Sequence, residues 1–384
     1  MKLRNLSFCL CFSLVSFAIQ AQKEIQKAIQ TQFILAEDGS TIELDDGRFE
    51  INTTLSLEGK KNITIKGKGI GKTVLDFANQ TDGAEGIRLS NLKDVTLQDL
   101  SVLNAAGDAV KAMNVKGVKF LRVETAWEGK PKASNGAYGL YPVMCKDVFI
   151  QGCIARGASD AGIYVGQSKN IVVKECIAKE NVAGIEIENS QNAEVYDNIA
   201  TGNTGGILVF DLPDLVQKKG GNVKVYENVI EANNYKNFAP KGNIVGKVPP
   251  GTGVLILATS DVEVYKNVIK NNRSMGVGVI SYYLTENPIN DKEYYPYPTN
   301  ISIRENVFER KSQKTTSQGR FGKMYRFVLK FGKDVPFIQW DGITDEDNKD
   351  WVLCVEDNTN ATFANLDAEN NFENVSREMV ECER

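Results

Sequence analysis

Two strand motifs alternate along this chain, their clearest copies recur every 22 or 23 residues, and one column of Asn repeats with them. Together these predict an all-β fold, a right-handed parallel β-helix of about nine stacked coils. The first motif opens on Asn or Asp and then alternates apolar and polar residues. Its clear copies begin at Asp147, Asn170, Asn192, Asn222, Asp261 and Asn300, with looser ones at Asn62, Asp94 and Gly117. Alternation with period two marks short strands that bury one face. The second motif is a Gly followed by alternating apolar residues, beginning at Gly86, Gly139, Gly162, Gly184, Gly206, Gly253 and Gly276. A Gly there lets the backbone bend between strands of one coil. Wider spacings are the same unit with a loop inserted. A leucine-rich solenoid would need a Leu consensus that is missing.

The Asn column is occupied by Cys153, Cys176, Asn198, Asn228, Asn267 and Asn306. Stacked amides at a turn can bond their copies above and below, so this column reads as structural. Cys153 and Cys176 share it at the ~4.8 Å spacing of adjacent strands. Either a disulfide or two stacked buried thiols fits that separation.

The ends need covers, because an exposed strand edge invites pairing. Residues 22–61 read as an N-terminal cap, with Ile25, Ala28 and Ile29 on one face of a helix, followed by leading strands. The coils occupy 62–310, and 311–384 form an irregular C-terminal cap holding Trp340, Trp351, Cys354 and Cys382. Cys354 and Cys382 share that cap, lie outside the ladder and are expected to form a disulfide. Residues 1–21 read as a signal peptide: Lys2 and Arg4 precede an apolar run from Leu6 to Ile19, and Ala21 offers a cleavage position. Loss of that segment would take the net charge from −4 to −6. An exported, periplasmic or secreted protein without a transmembrane segment is the expectation. Mild acidity gives no basic stripe for nucleic acid. The chain has no His, which excludes Ser-His-Asp and Cys-His catalysis and imidazole-ligated metals. No motif calls for a cofactor or a metal. The segment from Gly67, GKGIGKT, fails as a phosphate loop because Lys66 stands where the first Gly is required.

Strand parity gives the outward column of the Gly-led sheet: Arg88, Lys111, Tyr141, Tyr164, Glu186, Leu208, Leu255 and Gly278. Its first five members form a polar ladder about 20 Å long. Asp108, Asp160, Glu188 and Asp211 sit at or beside the ends of these strands. Arg88 or Lys111 could neutralise a uronic-acid carboxylate while Lys111, Tyr141 or Tyr164 abstracts the neighbouring proton. Asp160 and Glu186 could instead form a glycosidase pair. The bland alternative is an ordinary solvated sheet face. Three inserts, about 124–137, 231–251 and 282–299, carry Trp127, Tyr282, Tyr283 and other aromatics that either contact a ligand or staple loops to the rod.

The Asn- and Gly-led strands over roughly 40–310 resemble the right-handed parallel β-helix superfamily, which includes pectate lyases, polygalacturonases, alginate epimerases and periplasmic copper-site maturation proteins. The alginate-epimerase DPHD signature and the polygalacturonase His and Asp pattern are absent. The tail WDGI…LCVEDNTNATFANLD…EC resembles exported bacterial β-helix proteins typically encoded beside a di-haem c-type cytochrome-like protein. The first resemblance implies a protein that binds or processes an acidic polysaccharide, as a lyase or epimerase ahead of a hydrolase. The second implies a non-catalytic scaffold with an exported c-type cytochrome-like partner.

Overall fold

The computed structural model describes residues 24–311, 314–332, 334–347 and 352–382. The signal-peptide segment 1–21 and Trp351 lie outside the described residues. Each coil runs from an Asn-led strand through a three-residue strand to a Gly-led strand, as in Lys146–Gln151, Ile154–Arg156 and Ala161–Gly166. Equivalent strands of successive coils pair in parallel and in step: Val148 lies beside Ile171, Ile171 beside Ala193, and Ala193 beside Val223. The inward Ile, Val and Leu of every coil merge into one continuous core.

The backbone explains why the first motif opens on Asn or Asp. Asn62, Asp94, Asp147, Asn170, Asn192, Asn222, Asp261 and Asn300 all have φ between 54° and 59°. That left-handed conformation is tolerated best by Gly, Asn and Asp, and Gly117 fills the equivalent place with φ 78°. Beyond this turn the Asn column forms a fully bonded ladder. The Asn198, Asn228, Asn267 and Asn306 side-chain oxygens accept the backbone N–H of the preceding coil's column residue. The ladder reaches one coil further, to Asn358. A second buried ladder, Asn181–Asn203–Asn233–Asn272, runs parallel to it. Each of its members lies five residues after a member of the first column, so the signal was present in the spacing. Cys153 and Cys176 are free, buried thiols; the Cys153 N–H faces the Cys176 sulfur at 3.4 Å.

The stack extends past both ends of the 62–310 segment. Among the described residues the Gly-led sheet has 11 strands, beginning at Thr53–Glu58 and ending with Ile338–Trp340 and Phe363–Asn365. Leu353–Glu356 likewise pairs with Ile301–Arg304. The late strands have only three or four residues and lack an Asn or Gly lead, so alternation could not reveal them. Cys354, in this last region, is bonded to Cys382 with their Cα atoms 4.6 Å apart.

Residues 24–35 are helical, but a different face is buried from the one expected. Ile29, Phe33 and Ala36 face the core, whereas Ile25 and Ala28 are exposed. The helix occupies the open edge of the first Gly-led strand through side chains. The Gln26 and Gln30 amide oxygens accept the Asn52 and Ser56 N–H groups at 2.7 and 2.9 Å. That satisfies donors a terminal strand would otherwise leave unpaired.

Candidate functional site

The Gly-led sheet carries its outward columns in register across the coils. Arg88 lies beside Lys111, Lys111 beside Tyr141, Tyr164 beside Glu186, Glu186 beside Leu208, and Leu208 beside Leu255. Tyr138 and Ala161 begin a neighbouring outward column, and Gly166, Glu188 and Phe210 belong to a third. Residues two apart on a strand share a face, so Glu186 and Glu188 stand side by side.

This face is open at one end and covered at the other. Arg88 is exposed and Lys111 is half-buried, held 3.5 Å from Asp108 and 4.8 Å from the centre of the Tyr141 ring. Three tyrosines follow as one cluster. The ring centres of Tyr138, Tyr141 and Tyr164 lie 4.4 to 5.0 Å apart. Beneath them Asp160, Glu186, Glu188 and Asp211 are all buried. The solvated-face alternative therefore fails for Tyr164 and Glu186, whose exposures are 4% and 1%.

The cover comes from loops distant in sequence. The Asn243 amide donates to Asp160 at 2.8 Å, and the Tyr294 hydroxyl donates to the Asp211 carbonyl at 2.6 Å. Tyr164 donates to Glu188 at 2.5 Å. Both Glu186 oxygens and Asp211 Oδ1 have no hydrogen-bond partner among the described residues. No group of three or more His, Cys, Asp or Glu among those residues is arranged to hold a metal ion.

Burial dominates the electrostatics. It pushes the Asp160, Glu188 and Asp211 carboxyls up to about 7 and Glu186 well above the usual carboxylate range. The same burial, reinforced by nearby carboxylates, raises Tyr141 to about 12 and Tyr138 and Tyr164 far above the ordinary phenol value. Such phenols keep their protons at neutral pH. The carboxyls, in contrast, are poised near neutrality.

The loop aromatics divide. Trp127 is not a surface platform: its ring packs in the core and its indole N–H donates to the Ala105 carbonyl at 2.7 Å. Tyr282 is buried edge-on to Tyr294, so it staples a loop to the rod. Tyr283 remains exposed beside Tyr297. Tyr138 and Asn243 were missed by sequence reasoning. Strand parity would place Tyr138 inside with Leu140, and only the break in alternation at Gly139 turns it out to Tyr141 and Tyr164; nothing local marks Asn243.

Fold and site define a parallel β-helix protein with a titratable cluster on one outer sheet face. Residues 24–214 match the family described as "Right handed beta helix region", and the fold of the chain is a right-handed parallel β-helix. No curated protein matches the chain. Among solved structures it is similar to the A-module of the Azotobacter vinelandii mannuronan C-5 epimerase AlgE4, at 16% identity and a TM-score of 0.53, over 88% of this chain and 90% of that one. The C387A mutant of DFA-IIIase from Arthrobacter chlorophenolicus A6 matches at 12% identity and a TM-score of 0.53, over 90% and 80%. The Streptococcus pneumoniae surface protein and adhesin PfbA matches at 10% identity and a TM-score of 0.52, over 83% and 84%.

Proposed function

We propose that this is an exported protein that binds an acidic polysaccharide along the Gly-led face and acts on it at the Tyr138–Glu188 cluster. One observation carries the reading: exposed Arg88 and, beside it, Lys111, which lies between Asp108 and Glu85, lead to buried carboxyls whose protons are held near neutrality. In the reaction Arg88 and Lys111 bind the uronate carboxylate and stabilise the charge that develops when the adjacent C–H is deprotonated. The ionised fraction of Asp160 or Glu188 accepts that proton. Tyr141 or Tyr164 supplies a proton, either to the opposite face of the carbon (epimerisation) or to the departing glycosidic oxygen (elimination). Asp108 fixes Lys111, Asp211 lies under the cover as a further buried carboxyl, and the exposed Tyr283 offers the chain an aromatic contact. An Asp160–Glu186 hydrolase pair is less well served, because Glu186 is the most deeply covered of the four carboxyls. The fold relative named as a mannuronan epimerase supports this substrate class. No observation favours the c-type cytochrome-like partner.

The test is a panel of uronate polymers read by binding, by unsaturated-product absorbance and by epimer content. Glu188→Gln should lower turnover about 100-fold while retaining binding, and Lys111→Ala should weaken binding. Failure to bind every uronate polymer, or turnover indifferent to both changes, would overturn the proposal.

A further inference from the structure

The same sheet face changes character beyond Glu188. Its outward positions become Leu208, Phe210, Leu255, Leu257, Met275 and Gly278. Loops rise around them to form a groove of about 1270 Å³. Polar groups in its floor already have partners within the protein. The Tyr325 hydroxyl donates to Gln339, the Gln339 amide donates to the Ser274 and Pro336 carbonyls, and Ser317 bonds Ser274. Such a floor offers aliphatic contact and few free groups to read sugar hydroxyls.

The lip of the groove is built by residues 319–332. Tyr325, Leu329 and Phe331 are buried and anchor this segment to the rod. Between them Phe327 and Val328 project outward, 72% and 49% exposed. Around these two stand Lys323, Arg326 and Lys330, all exposed, and Lys236 and Arg273 line the groove behind them. Among the described residues none of these five cations stands in an ion pair. Glu286 is the one acidic residue among those that line the groove. Exposed apolar side chains ringed by unpaired cations carry a free-energy cost in water, which a negatively charged apolar boundary relieves.

We infer that the lip and groove form a peripheral docking site for an anionic lipid surface, with Phe327 and Val328 entering the acyl region and the cations meeting lipid phosphates. The whole chain is mildly acidic, so the attraction is local to this patch. No helix among the described residues is long and apolar enough to cross a membrane, so the contact is one of docking. The site is separate from the proposed glycan site and stands without it.

The experiment is sedimentation of the exported protein with phosphatidylglycerol-containing vesicles and with pure phosphatidylcholine vesicles. All variants share one N-terminus, so any effect of residues 1–21 cancels. Binding should fall roughly tenfold or more on neutral vesicles, in Lys323→Glu/Arg326→Glu, and in Phe327→Ser/Val328→Ser. These substitutions are at exposed positions, and an unchanged melting temperature will show that the fold is intact. Three results would overturn the inference: no binding to anionic vesicles, binding that both double variants retain, or a Phe327-dependent dimer that ignores lipid.

Discussion

The two halves of the Gly-led face share backbone, register and column spacing, yet their chemistry is opposite. In the first half Glu186 is buried with both oxygens unpartnered, next to Asp160 and Glu188. In the second, the same column holds Leu208 and Leu255, and the polar groups nearby bond to one another. A solenoid fixes where an outward side chain stands and leaves its identity free, so one face can hold a strained titratable cluster and a relaxed apolar groove. Polar groups left unsatisfied under cover cost stability, and they concentrate where chemistry is done.

Exchanging residues between the halves gives the largest expected effect. Leu255→Glu should destabilise the protein by about 3–5 kcal/mol, because it buries an unpaired carboxyl among apolar neighbours. Glu186→Leu should stabilise it by about 1 kcal/mol or more, since it removes a carboxyl that has no partner. Urea unfolding of both variants checks this. Equal losses would mean that the halves do not differ energetically.

Acidity should separate the halves next. Asp160, Glu188 and Asp211 hold their protons up to about 7 in the folded chain, whereas unfolded carboxyls release them near about 4. The folded state therefore binds more protons between those values. This contribution is fully present below about pH 4 and is lost as pH rises through about 7. Wild type should melt lower at about pH 8 than at about pH 5.5, and Asp160→Asn/Glu188→Gln should flatten the slope. Leu257→Met, in the apolar half, should leave the slope as it is.

The smallest contrast compares two buried hydroxyls. Tyr325→Phe removes a bond to the neutral Gln339 amide and should cost about 1 kcal/mol at every pH. Tyr164→Phe removes a bond to Glu188, which titrates, so its cost should rise as pH passes about 7. Melting curves of both across pH would show two parallel lines if Glu188 did not titrate there.

Much of this was legible in the sequence, because stacking turns periodicity into position. The column from Arg88 to Gly278 was readable from parity alone, and the observed register pairs the same residues. The Asn that opens each repeat reports a left-handed turn, again a local property. Short strands such as Ile338–Trp340 were illegible because three residues carry no pattern.

What the sequence determined by itself was the solenoid and the columns on its faces, since period-two alternation and coil length depend only on near neighbours. Which columns are covered was decided by tertiary structure. Asn243 reaches Asp160, and Tyr294 reaches Asp211, each across 83 residues of chain. Trp127 turned into the core instead of out to solvent. Burial is a sum over contacts made by distant segments, and burial is what raises the carboxyls of this face toward neutrality.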